Sequence, residues 1–310
     1  MVNKIKSVMI GHAVGDALGV PVEFASREEL AENPVAAMKG FGTYPVPAGS
    51  WSDDTSMSLA ALDSLASGEV RWDEIMDNFC RWLDEGAYTP LGELFDVGQT
   101  CLEAIGRYGN QGIVATECGG KDEYSNGNGS LMRIHPFSLM AFYNLKAYLD
   151  WEDLVEKASS LTHGHERSKL ACKIYTAVLF SLLDSPKKES VKSALAWAEG
   201  RYEHSSEHGV YQRVFSPAFD KLTVDEIKST GYVVDTLEAA LWCLLTTDNY
   251  RDCVLKAVNL GEDTDTVAAV AGGLAGALYG YDNIPCEWKN TLIKRAYLEE
   301  LCKQASEKWV

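Results

Sequence analysis

Apolar residues recur at spacings of three and four along most of the chain, in windows at 5–19, 54–66, 72–83, 97–108, 131–149, 151–161, 166–183, 190–200, 233–246, 250–260, 265–279 and 286–308. That period lays side chains along one face of a helix, and strand-like alternation is scarce, so the pattern predicts an all-α protein. No fixed-period repeat, low-complexity tract or Pro/Ser-rich linker divides residues 1–310, which read as a single domain. The weakest core signal is 184–228, polar with histidines and charges, and it is expected as a surface excursion from that domain. Loops rich in Gly, Pro and Asn at 33–50 and 117–129 each precede a helix of chemical interest.

Two helical windows share a further pattern. Gly11, Gly15 and Gly19 recur every four residues, and so do Ala268, Gly272, Gly276 and Gly280. Glycine costs about 1 kcal/mol inside a helix, so such a ridge needs a compensating contact. A shallow ridge lets helices pack nearer than the usual separation of roughly 8–10 Å. Both helices are therefore expected at the centre of the fold, as neighbours.

Composition narrows the class. The 310 residues are 46% hydrophobic and 24% charged, which suits a globular protein with an ample core. The 28 Lys plus Arg against 45 Asp plus Glu leave a formal charge of -17, which disfavours nucleic acid and anionic membranes as partners. The uncharged run 266–281 is shorter than the roughly 20 residues that cross a bilayer. His12 and Asp16 interrupt the first apolar stretch, so it does not read as a signal peptide. Eight scattered cysteines without a CxxC pair read as reduced core thiols in a cytoplasmic protein and argue against a zinc site.

The chemistry concentrates in two acidic clusters. Ser52, Asp53, Asp54 and Thr55 precede one apolar helix, and Asp263, Asp265 and Thr266 open another. Capping is the simpler reading of either cluster alone, because Asp, Ser and Thr accept hydrogen bonds from free amides at a helix start. A cap needs one such group, however, and crowded buried carboxylates repel unless a cation neutralises them. Oxygen-only donors suit a hard cation, Mg2+ or Mn2+ rather than Zn2+. Four aspartates would balance two divalent ions, so the pair of clusters suggests a binuclear site. Glu23, between Val22 and Phe24, is a candidate additional ligand.

Gly127, Asn128, Gly129 and Ser130 stand before the window that starts at 131, as glycine-lined amides do at phosphate sites; an ordinary turn with Ser130 as cap is the alternative. Neither a P-loop nor a strand-led dinucleotide turn is present, and Asn128-Gly129-Ser130 is a glycosylation sequon without meaning in the cytoplasm. His163 and His165 form a loop HxH that could contact a ligand or orient an acid.

The stretches GHAVGDALGVPVEF, SWSDDTSM, FDVGQT, NGNGSLMRIHP, THGHERS, GYVVDTLEAALW and GEDTDTVAAVAGGLAGALYG resemble, in the same order and over nearly the whole chain, the ADP-ribosylglycohydrolases. That family includes dinitrogenase reductase-activating and ADP-ribosyl-acceptor hydrolases. The resemblance implies a compact all-α domain with two Mg2+ or Mn2+ ions in a cleft. It implies Ser52, Asp53 and Asp54 as ligands from one side and Asp263, Asp265 and Thr266 from the other, with Glu23 as the additional acid. By the same resemblance, Gly127, Gly129 and Ser130 lie along a diphosphate, His163 near the substrate, Tyr232 near the nucleoside or distal ribose, and Asp96 at the scissile end. Ser52 departs from a common threonine but keeps the hydroxyl. Glu262 departs from a small or amide residue and adds charge beside the metals.

The implied function is metal-dependent hydrolysis of the bond between ADP-ribose and an acceptor, through an oxocarbenium-like transition state. Glu23, Asp96 and Asp263 are the candidate catalytic acids. An ADP-ribosylated arginine is the first acceptor to consider; serine-linked, O-acetyl-linked and nucleic-acid-linked conjugates stay open. A two-metal phosphohydrolase and a non-catalytic ADP-ribose-binding protein are the rival classes.

Overall fold

The computed structural model describes residues 1–144 and 150–309. Its helices are α1 (Val2–Gly19), α2 (Arg27–Glu32), α3 (Asp53–Leu65), α4 (Trp72–Glu85), α5 (Gln99–Gln111), α6 (His135–Tyr143), α7 (Trp151–Ser160), α8 (Glu166–Asp184), α9 (Lys188–Arg201), α10 (Gln212–Phe215), α11 (Val233–Leu245), α12 (Tyr250–Val258), α13 (Thr264–Tyr279), α14 (Cys286–Thr291) and α15 (Arg295–Lys308). Among the described residues there is no strand, only two isolated bridges, Gly120 with His163 and Gly127 with Tyr232. The all-α expectation holds, and one continuous hydrophobic core binds the helices into a single compact domain. No described helix is long and apolar enough to cross a membrane.

The axis of the fold is the packing of α1 along α13, with α12, α11, α8 and α15 around them. Both central helices are apolar on nearly every side, as buried helices are. Their glycine ridges face each other at backbone contact. A Cβ on Gly15 would stand 2.0 Å from the Ala268 carbonyl oxygen, and one on Gly276 would stand 1.9 Å from that of Ser7. Any side chain at these positions would force the helices apart. The Tyr250 hydroxyl donates to the Gly11 carbonyl at 2.6 Å and ties α12 to the same seam.

The fold departs from the sequence pattern in four places. The helix expected at 131–149 begins only at His135, with Pro136 in its first turn, and 129–133 form turns; its expected end at 145–149 lies outside the described residues. The helix expected at 286–308 is broken at 292–294, where Lys294 takes a left-handed conformation (φ 49°) and the Ile293 amide bonds to the Gly49 carbonyl at 3.0 Å. The unexpected α2 starts from a capping box in which Ser26 and Glu29 exchange hydrogen bonds, a signature readable as Ser-x-x-Glu. Finally, 184–228 is more than a surface excursion: Val191, Leu195, Tyr211 and Phe219 are buried in the core, and α9 packs on α8. Its polar face masked a small apolar stripe. All eight cysteines are unpaired and six are buried.

Candidate active site

Three helix ends meet at one point. Asp16, inside apolar α1, accepts hydrogen bonds from the Ser52 amide (2.9 Å), the Thr55 amide (3.0 Å) and the Thr55 hydroxyl (2.6 Å). It thereby satisfies free amides at the start of α3, and Ser52 adds a cap by accepting from the Asp54 amide at 3.4 Å. With that end satisfied, capping does not account for the side chains of Asp53 and Asp54. The start of α13 is similar: Asp263 occupies the cap position, yet its side chain makes no capping bond. The Thr264 hydroxyl donates to the Gly19 carbonyl at 2.9 Å, and the Thr266 hydroxyl donates to Asp54 at 3.2 Å. The two acidic clusters are thus joined directly.

The carboxylates are packed closely. Single oxygens of Asp16, Asp54 and Asp265 lie within 4.8 Å of one another, and so do those of Glu23, Asp96 and Asp265. Burial raises the pKa of Asp16 to about 6 and, with the charge of Asp96, that of Glu23 to about 8. Asp53, Asp54 and Asp265 are pushed well above the usual carboxylate range, first by burial and then by neighbouring carboxylates. Asp96 is raised by burial and by Asp263. One oxygen of Glu23 and one of Asp54 are enclosed without a hydrogen-bond partner among the described residues. Orphaned buried carboxylate oxygens beside other acids want a positive charge, and this all-oxygen donor set fits hard divalent cations.

A cavity of about 330 Å³ opens over this cluster. One part of its lining is acidic: Glu23, Asp53, Asp96, Asp263 and the hydroxyl residue Thr266. Ser52, Asp54 and Asp265 are buried and do not line it. The other part is Gly127, Asn128, Gly129, Met132 and His163. Asn128 connects the two parts by donating to Asp263 at 2.8 Å and to Thr236 at 2.9 Å. A Cβ on Gly129 would lie 2.8 Å from Cys101 Sγ and 2.9 Å from the His163 ring, so only glycine fits there without displacement. Burial and the charge of Arg133 lower the pKa of His163 to about 3, which leaves the ring neutral.

Other sequence-derived candidates stand apart from the lining. The Ser130 hydroxyl faces the core, accepting from the Ser159 hydroxyl at 2.9 Å and lying 3.5 Å from Cys172 Sγ. Tyr232 is half-buried beside the cavity; its backbone pairs with Gly127, and the Arg167 guanidinium sits 5.8 Å from its ring centre. His165 caps α8 by accepting from the Arg167 amide at 3.1 Å. Sequence reasoning overlooked two residues. Asp16 carried a signal, an acid within an apolar glycine-ridged helix, but read only as an interruption. Phe24, 70% exposed at the cavity, has φ 67°, held by its amide's 2.7 Å bond to the Glu262 carbonyl. Glu262 is itself at φ 62°, and its amide donates to the Ala25 carbonyl at 2.8 Å.

The chain is similar to known proteins over nearly its whole length. The chain is 32% identical over 312 residues to the ADP-ribosylarginine hydrolase Tri1 of Serratia proteamaculans (strain 568), covering 97% of this chain and 78% of that one. It is 33% identical over 286 residues to the ADP-ribosyl-[dinitrogen reductase] glycohydrolase of Rhodospirillum rubrum, covering 91% of this chain and 88% of that one. A solved structure described as an ADP-ribosylglycohydrolase-related protein complex superimposes with a TM-score of 0.84 at 31% identity, covering 100% of this chain and 99% of that chain. The family model for ADP-ribosylglycohydrolase matches residues 1–310, and the chain belongs to that family.

Proposed function

We propose that this chain is a divalent-cation-dependent hydrolase that releases ADP-ribose from a modified protein side chain, with arginine as the acceptor. The observation that carries the reading is one cavity lined in part by Glu23, Asp53, Asp96 and Asp263 and in part by the Gly127–Gly129 segment with neutral His163. The relatives named for ADP-ribosylarginine and for ADP-ribosylated dinitrogen reductase support the acceptor.

Ser52, Asp53, Asp54, Asp263, Asp265 and Thr266 would hold two cations, Mg2+ or Mn2+. When bound, such ions offset the crowded negative charge and polarise vicinal ribose hydroxyls. Breaking the bond to the anomeric carbon develops positive charge on the ribose, and an acidic lining favours that charge. Asp96 accepts hydrogen bonds from the departing guanidinium. Glu23, whose carboxyl is pushed up to about 8 in the cation-free chain by burial and by Asp96, moves the proton between water and leaving group. The backbone around Gly127 and Gly129 receives the diphosphate, with His163 beside it. The buried free thiols suit a reducing compartment, which favours the cytoplasm.

The test is release of free ADP-ribose from an arginine-ADP-ribosylated protein, with Mg2+ or with EDTA, for the wild type and for Asp263→Ala/Asp265→Ala. Cation-dependent release that the double variant loses is expected. Release of AMP or inorganic phosphate would replace this reading with phosphohydrolysis. Release from serine-linked or O-acetyl-linked conjugates alone would move the acceptor.

A further inference from the structure

Arg133 is fully enclosed and has no acidic partner among the described residues. It donates to the Ala158 carbonyl at 3.1 Å and to the Thr162 hydroxyl at 2.6 Å, with its guanidinium 5.1 Å from the centre of the Phe79 ring. The Thr162 oxygen is also 2.9 Å from His163 Nδ1. Guanidinium nitrogens only donate, so the Thr162 oxygen must accept from Arg133 and has its own proton to place elsewhere. Among the described residues the acceptors within reach are His163 Nδ1 at 2.9 Å and the Cys101 sulfur, and the imidazole nitrogen is much the stronger of the two. If that nitrogen carried the proton instead, Thr162 would accept twice and its hydroxyl hydrogen would be left with only the weak Cys101 sulfur in a buried site.

The orientation is therefore Arg133 to Thr162 to His163 Nδ1, and in a neutral imidazole the remaining proton sits on Nε2. His163 Nε2 makes no hydrogen bond among the described residues. It lies 3.5 Å from where a Cβ on Gly127 or on Gly129 would stand, at the part of the cavity free of acids.

We propose that Arg133 and Thr162 are positioning residues that fix the tautomer of His163, so that its Nε2–H donates into the cavity to an anionic oxygen of the substrate's diphosphate. The relay is a property of the chain alone; its ligand rests on the function proposed above. Arg133 does not touch the substrate. It orders a proton from behind and helps keep the ring neutral.

The experiment uses protein labelled with 15N-histidine, in which long-range 1H–15N correlations distinguish the two tautomers, and the His163 signals are assigned by their loss in His163→Asn. The wild type should carry its proton on Nε2 near neutral pH without ligand. Thr162→Ser, which keeps the hydroxyl, should preserve that pattern, and Thr162→Val should lose it. The Kd for ADP-ribose should rise about tenfold in Thr162→Val and little in Thr162→Ser, as loss of one hydrogen bond to a charged group implies. A proton on Nδ1 in the wild type, or an unchanged pattern in Thr162→Val, would overturn the relay. A changed tautomer with unchanged ADP-ribose affinity would overturn the donor role. Absence of ADP-ribose binding by the wild type would overturn the functional reading and the diphosphate with it, while the spectra alone still decide the relay.

Discussion

The two parts of the cavity lining are built on opposite electrostatic logic. In the acidic part, burial and mutual repulsion drive carboxyl pKa values upward, to about 8 at Glu23. In the part around Gly127, Gly129 and His163, burial and a nearby cation drive the histidine downward, to about 3. The first is incomplete without added positive charge. The second is complete as folded, its ring held by Thr162 at 2.9 Å and its backbone by the Asn128 amide to the Gly231 carbonyl at 3.0 Å. On the function proposed above, such a cavity separates its labours: one part would gather cations and bear the bond-breaking, while the other would need only to hold an anion.

The largest test of that contrast is removal of acids. Asp263→Ala/Asp265→Ala should lower kcat/KM by about a thousandfold or more, and Mg2+ should no longer raise its Tm. Normal turnover in that variant would end the division. Next comes pH. His163 has a folded pKa of about 3 and His12 one of about 4, against 6.5 when unfolded. The unfolded chain then binds protons that the native state does not, so stability falls as pH drops below 6.5, by about 2 kcal/mol per histidine at pH 5. The acids act in the opposite direction. Their raised folded pKa values make the cation-free protein lose stability as pH rises from about 4 through 6 and 8, the native values of Asp16 and Glu23. Between about pH 4 and 6.5 the two effects oppose each other in EDTA, so Tm should fall mainly on the alkaline side, as pH rises toward 8; Mg2+ should correct that alkaline fall and leave the histidine loss on the acid side exposed. Equal correction at both ends would break the contrast.

Smaller effects sharpen it. Gly129→Ala should raise the Kd for ADP-ribose about tenfold, because its Cβ would press on Cys101 and His163, and should leave cation affinity unchanged. Calorimetry with Mn2+ and with ADP-ribose separates the two. At the rim of the acidic part, Phe24→Gly should relieve a left-handed backbone and raise stability by about 1 kcal/mol, read from urea unfolding.

How far the sequence speaks depends on the range of the interaction that matters. Helices announce themselves within a few residues, and the glycine ridges on α1 and α13 revealed a long-range contact because both partners repeat. The acids of 52–55 and 263–266 were legible because too many stood where one suffices. Asp16 was not, because its meaning lies in amides 36 and 39 positions away. The start of α6 was misread for a related reason. The window from 131 fits a helical period, yet the backbone forms turns through 133, where Arg133 reaches Thr162. Polar residues that serve distant partners look locally like exceptions.

The seam between α1 and α13 also sets an order of events during synthesis. Gly19 and Thr264 touch although 245 positions separate them. While the chain is being made, α1 must wait, its apolar ridge uncovered, until α13 has emerged, and pairing so remote slows folding and lengthens exposure to aggregation. The acidic cluster is assembled by that same late event, since Asp54 and Thr266 meet only when it occurs. A nascent or truncated chain lacking α13 is thereby denied both its core and its acidic cluster, and on the function proposed above the capacity to bind cations becomes a signal that folding has finished.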